Sequence, residues 1–339
     1  MYIENKQLKN QLSIWLSFMF WIVAFMIVVG GLTRLTDSGL SITKWQLFSG
    51  ILPPLNNGDW LKYFDLYKEI PEYKLQNYEM TLQEFKVIFW WEWAHRILGR
   101  LIGISFLIPL IYFSLKLKIK NLVSLYFIFF LICFQGFIGW YMVSSGLVNR
   151  VDVSHYRLSV HLLLAFLILS LILWNYFKIK IKNQSDQKIE NYLPLLFTIL
   201  IFCQIAVGAF VSGMDAGRIY NSWPMMGSSY FPDDNNMINL FSLGAFNDPS
   251  LVQFMHRNLA YIILFIYGYI FYKIYVNSLS KFYYSIFLIG LLLLLQIVLG
   301  IFTLLYGAQI FIASMHQISS IFLVSSCIYF MYLNKINTN

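Results

Sequence analysis

The sequence predicts an all-α integral membrane protein with eight transmembrane helices, arranged as two tandem pseudo-symmetric four-helix bundles. Three observations predict it. The chain of 339 residues is 59% hydrophobic and 12% charged, with a mean hydropathy of +0.64. Eight apolar runs approach or exceed the roughly 20 residues that a helix needs to cross a bilayer, at 13–35, 88–115, 121–145, 157–178, 193–213, 255–275, 283–306 and 313–333. Landmarks of the first half also return in the second in the same order.

The first run follows Lys6 and Lys9 and ends without a small-residue cleavage site, so it reads as a retained helix rather than a signal peptide. It closes on GGLTRLTDSGLSITKW, residues 30–45. The loop at 46–87 carries Pro53, Pro54, Pro71 and many aromatics and is expected to form turns and short interfacial helices capping the bundle. The second run opens on FWWEWAHRILGR, residues 89–100; the third holds FQGFIGW, and the fourth holds YRLSVHL. The charged stretch KIKIKNQSDQKIENY is the natural boundary, dividing 1–184 from 185–339. The fifth run closes on GAFVSGMDAGRIYNSW, residues 208–223, and the loop at 222–250, rich in Pro, Gly, Asn and Asp, is likewise expected to form turns and short interfacial helices. The sixth opens on QFMHRNLAY, the seventh holds LQIVLGI and the eighth begins near MHQ.

These motifs align pairwise. Asp37, Gly39 and Trp45 match Asp215, Gly217 and Trp223 at an offset of 178. His95, Arg96, Gln135 and Gly139 match His256, Arg257, Gln296 and Gly300 at 161, and His161 matches His316 at 155. Each half has an even number of helices, so the repeats run parallel, related by an axis along the membrane normal.

Charge sets the orientation. Twelve lysines lie on the side of the N-terminus, the 116–120, 178–190 and 273–281 loops and the C-terminus, against Glu4, Asp186 and Glu190. By the positive-inside rule that side, with both termini, is expected to be cytoplasmic. The net charge of +8 is thus a topology signal and argues for no nucleic-acid partner. Cys133, Cys203 and Cys327 all lie in apolar runs without CxxC spacing, which disfavours a disulfide framework or a thiolate metal site.

Four of the five histidines, His95, His161, His256 and His316, stand at the outer end of even-numbered runs. A lone histidine there would read as an interfacial polar residue. Two at equal depth in a four-helix bundle can instead present imidazoles to both faces of a planar macrocycle such as haem, pairing His95 with His161 and His256 with His316. Zinc is less suited, since neither half adds a third or fourth ligand at zinc spacing. His155 lies about 240° around a helix from His161 and has no counterpart, so it reads as a loop or helix-cap residue. Arg96, Arg157 and Arg257 read either as interfacial snorkelling residues or as partners for haem propionates. Glu92, one turn before His95, reads either as a helix N-terminal carboxylate or as an active-site acid beside one macrocycle. The aligned residue of the second half is Gln253, which cannot ionise.

TRLTDSGLSITKW, the Glu84–Arg100 stretch with EWAHRILGR, FQGFIGWYMVSSGL, YRLSVHL, QFMHR and MHQ together resemble haem A synthase, in the branch found in alphaproteobacteria and mitochondria. The resemblance covers nearly the whole chain. It implies haem b held by His256 and His316, and substrate haem O held by His95 and His161, with Glu92 needed for activity. The implied reaction oxidises one porphyrin methyl to a formyl by successive hydroxylations in the cell inner membrane. The implied partners are haem O synthase, cytochrome oxidase assembly factors and an electron acceptor. The paired outer-loop cysteines of the family's other branch are absent here, and His155 stands where relatives often have proline. Two readings stay beside this one: a bis-histidine cytochrome b that only carries electrons, and a transporter built from parallel repeats.

Overall fold

The computed structural model describes residues 5–45, 49–181 and 186–335. Glu4, Lys182 and the 184/185 boundary lie outside the described residues. Ten α-helices are present among the described residues: α1 (Lys6–Leu35), α2 (Asn57–Lys68), α3 (Pro71–Leu75), α4 (Leu82–Lys116), α5 (Val123–Asn149), α6 (His155–Lys180), α7 (Tyr192–Gly213), α8 (Pro249–Val276), α9 (Tyr283–Leu305) and α10 (Ile310–Lys335). All but α2 and α3 are long and apolar enough to cross a membrane, and they coincide with the eight predicted runs. This is a multi-pass membrane protein. Helix is the form that satisfies every backbone polar group within one segment, which lipid demands.

Local chemistry sets the helix ends. The Asn5 side chain accepts the backbone N–H groups of Gln7 and Leu8 and starts α1. Thr81 and Glu84 form a reciprocal capping box that starts α4 at Leu82, ahead of the apolar run that begins at 88. Asp248 caps α8, and Pro249 occupies its first turn, where a missing N–H costs nothing.

Helices α1, α4, α5 and α6 close into one ring, each packed on two neighbours, and α7 to α10 close into a second. The rings meet through α1 and α6 on one side and α7 and α10 on the other. Leu12, Leu16, Met19, Phe106, Phe166, Phe197 and Phe330 are among the buried side chains of the shared core, while residues such as Phe265 and Phe287 point outward. The repeat extends to the backbone. Asp37 and Asp215, each just past its helix, both adopt the left-handed conformation, with φ of 48° and 50°, a region aspartate tolerates better than most residues.

The 46–87 loop forms two short helices, α2 and α3, as expected. Trp60, Phe64 and Tyr67 of α2 pack with Phe85 and Phe89, in the extension of α4, into a second, smaller aromatic core. The loop between α7 and α8 also forms short helical turns, of the 3₁₀ type, at Ala216–Arg218, Met237–Phe241 and Leu243–Asn247.

Candidate functional site: two histidine pairs

Within the first ring α4 and α6 are diagonal, each touching α1 and α5. Their histidines therefore approach across the bundle interior, and the ring centres of His95 and His161 are 6.4 Å apart. Two metal–imidazole bonds of about 2 Å each, plus the distance from each nitrogen to its ring centre, come to roughly 6 Å. The pair is spaced to take one metal ion between its rings. In the second ring α8 and α10 are likewise diagonal, and His256 and His316 are close enough to interact electrostatically. Among the described residues no group of three or more His, Cys, Asp or Glu could hold a metal. Each site thus brings together two imidazoles, with no third His, Cys, Asp or Glu placed to share a metal ion with them among the described residues.

Every imidazole lies against a glycine of a neighbouring helix. A Cβ at Gly139 or Gly208 would stand 3.1 Å from Cε1 of His161 or His256, and one at Gly300 would stand 3.2 Å from Cε1 of His316. At Gly30 it would stand 3.3 Å from Nε2 of His95. These contacts obey the repeat, Gly30 corresponding to Gly208 and Gly139 to Gly300. Gln135 and Gln296, one turn before Gly139 and Gly300, donate to the carbonyls of His161 and His316 at 3.0 and 2.9 Å. Nδ1 of His161, His256 and His316 is buried without a hydrogen-bond partner. A buried polar atom in that state costs about 1–3 kcal/mol, so these pockets fit completion by a bound group.

The surroundings of the two pairs share a frame and differ in charge. Glu92 is 2% exposed. Its Oε2 accepts Ser41 Oγ and the Ile42 N–H, both at 2.7 Å, and its Oε1 accepts Arg96 Nη2 at 2.6 Å. Arg96 Nη2 also donates to the Ile42 carbonyl at 2.9 Å, and its guanidinium lies over the Trp45 ring at 5.2 Å. In the second half Arg257 Nη2 and Gln253 Nε2 donate to the Tyr220 carbonyl at 3.0 and 3.1 Å. Tyr220 is the repeat counterpart of Ile42, so both halves pin the same loop residue, one through a carboxylate and the other through an amide.

The family model described as Cytochrome oxidase assembly protein (COX15-CtaA) matches residues 13–328. The chain belongs to that family. It is 49% identical over 338 residues to a protein named Heme A synthase from Pelagibacter ubique (strain HTCC1062), covering 99% of this chain and all of that one. It is 43% identical to one of the same name from Rickettsia bellii (strain OSU 85-389), over 97% of this chain and 99% of the relative. A third, from Wolbachia pipientis wMel, is 40% identical over 96% of this chain and 94% of its own length.

Arg157 and His155 each pack against their own neighbours. Arg157 donates to Ser145 Oγ and lies over the Tyr141 ring at 4.6 Å. His155 is the first residue of α6, packed on Gly213 and edge-on to Phe210 with ring centres 5.4 Å apart. Two further residues belong to this region, Arg34 inside the TRLTDSGLSITKW motif and Glu72 outside any motif. Arg34 pairs with Asp37 and, at 3.1 Å, with Asp215, and donates to the Ser212 carbonyl at 2.8 Å. Ser212 is its own repeat counterpart, so an internal alignment would have found the link had it sought the residue breaking the symmetry. Glu72 in α3 is buried, and burial, aided by the charges of Asp152 and Glu92, pushes its carboxyl up to about 8. Nothing in the local sequence distinguishes it from a surface glutamate.

Proposed function

We propose that this chain is a haem A synthase, oxidising a methyl group of haem O to a formyl by successive hydroxylations to yield haem A. The near-full-length identity of 49% to a protein named Heme A synthase carries this reading. The diagonal histidine pairs supply a chemical reason for it.

In this reading His95 and His161 hold the substrate haem O, and His256 and His316 hold a haem b. A bound haem b supplies one-electron redox chemistry. The helix glycines let each imidazole lie close against its neighbouring helix, and the apolar bundle interior would bury a porphyrin held between the pair. Arg96, Arg157 and Arg257 stand at the rim where propionates would emerge, and a planar guanidinium suits a carboxylate. Glu92, fixed by Arg96 and the Ile42 amide, takes up a proton released at the methyl through the Ser41 hydroxyl that donates to it.

Residues 1–184 would then form the substrate half and 185–339 the electron-carrying half. The lysine-rich ends face the cytoplasm across a bacterial inner membrane, and both haem sites lie near the periplasmic side. Haem O synthase and cytochrome oxidase assembly factors are the expected partners, with an acceptor drawing off the electrons.

A second reading, a bis-histidine cytochrome b that modifies nothing, is favoured by one observation. Glu92 has its hydrogen bonds filled, and Gln253 pins the matching loop without an acid. Expression in cells that make haem O but no haem A separates the two. Haem b together with haem O or its hydroxylated derivative in the purified protein, and haem A in the membranes, support the synthase; colourless protein overturns both. Glu92→Gln that keeps its haem while losing formylated product assigns catalysis to Glu92, and unchanged product makes it a structural tie.

A further inference from the structure

A cavity of about 1200 Å³ lies between the two rings on the side where α6 meets α7, with α10 as its back wall. At the histidine end these helices touch. Ser159 Oγ donates to the Ala206 carbonyl at 3.1 Å, and His155 sits on Gly213. Below that contact a cleft runs from Leu163 and Ala206 to Lys188 and Lys335 at the lysine-rich end.

The repeat explains the space. Thr198, Ile199 and Cys203 line the cleft from α7, whereas the matching positions of α1 are Phe20, Trp21 and Phe25. The smaller α7 side chains leave this side of the cleft open.

The cleft is apolar along its length and basic at one end. Lys335 lies over the Trp174 ring at 5.4 Å, Lys188 lines the mouth, and Lys178 is close enough to Lys335 to be repelled by it. Glu190 is held by Lys273, and Asp186 stands two residues before Lys188, so three lysines at this end face one remaining acid. Ser170, one helical turn or about 6 Å deeper than Trp174, lines the cleft with its hydroxyl buried and without a hydrogen-bond partner. The side chain is 6% exposed, and a buried hydroxyl with no acceptor is costly.

We propose that this cleft is a binding site for one anionic phospholipid. Its phosphate lies between Lys188 and Lys335, an ester carbonyl one turn deeper accepts the Ser170 hydroxyl, and its acyl chains run along Leu163, Leu167 and Ile199 towards Ala206. Basic pockets between transmembrane helices recognise anionic head groups in this way. The site is independent of what the histidine pairs hold.

The test uses the full chain purified in mild detergent, with dioleoyl phosphatidylglycerol and dioleoyl phosphatidylcholine as probes in native mass spectrometry and thermal unfolding. The expected result is one phosphatidylglycerol retained, with at least a ten-fold preference over phosphatidylcholine and a raised melting temperature. Lys188→Ala with Lys335→Ala should remove the preference, and Ser170→Ala should weaken retention several-fold. Ile199→Phe with Cys203→Phe, filling the cleft, should abolish retention while haem content stays at the parent level. Equal retention of the two lipids, retention untouched by the filling variant in folded protein, or an isoprenoid quinone recovered in place of phospholipid would each overturn the proposal.

Discussion

Arg34 Nη2 lies 3.1 Å from Asp215 Oδ2, an ion pair that joins the end of α1 to the first residues after α7. The same guanidinium holds Asp37, the repeat counterpart of Asp215, so one arginine clasps two left-handed aspartates related by the pseudo-symmetry. Its side chain is 11% exposed, whereas the two acids are about half exposed.

Arg34→Leu should therefore loosen the two halves. The lost hydrogen bonds and ion pairs are worth about 1–3 kcal/mol, discounted toward the lower end because the acids remain hydrated. Thermal unfolding in detergent should show a lower midpoint, with partial recovery in Arg34→Lys. A midpoint equal to the parent's would show that the clasp contributes nothing.

The glycine contacts predict a variant effect confined to one site. Gly139→Val pushes a branched side chain into His161, and Gly300→Val does the same to His316. Each should lose the haem of its own pair and keep the other, reducing bound haem by about half on the occupancy of one site in two. Gly103→Ala, with nothing within 4 Å of its added methyl, is the control. Equal haem content in all three variants, read from the pyridine haemochrome spectrum, would contradict the close approach.

Glu72 predicts a pH dependence. Its carboxyl is raised from 4.5 to about 8 by burial, so the folded state favours the proton more than the unfolded state does. The carboxyl carries no penalty below about pH 4, becomes progressively destabilising as pH climbs between those values, and reaches its full cost above about 8. Glu72→Gln should match the parent at pH 4 and exceed it by a few kcal/mol, to order of magnitude, at pH 8–9. Parallel melting curves for parent and variant across pH 4–9 would refute the burial of an ionisable group there.

His155 is packed between helices and makes ring contacts with Tyr156 and Phe210. His155→Gln should keep the parent's haem content and absorption spectrum while losing roughly 1 kcal/mol of stability from the altered packing. A changed haem spectrum would place His155 among the ligands.

Eight helices and the order of the landmarks could be read directly from the chain, because lipid imposes both helix and hydrophobicity on any segment that crosses it. The four histidines were visible because the same residue recurred at matching places in both halves. The start of α4 at Leu82 was less visible, since hydropathy marks where lipid begins and says little about where a capped helix begins outside it. The bonds of Glu92 were hidden as well. Three residues of spacing place it on the face of His95, yet its partners Ser41 and Ile42 come from a loop some fifty positions away.

The amino-acid order alone determined how many times the chain crosses the membrane, which residues repeat, and that its histidines come in pairs. Tertiary packing decided that each pair is diagonal, that a glycine backs every imidazole, that Arg34 bridges the halves and that Glu72 is cut off from water. Hydrophobicity and periodicity are properties of neighbours along the chain. Distances between side chains, and the burial that shifts a proton equilibrium, exist only after distant helices have closed on one another.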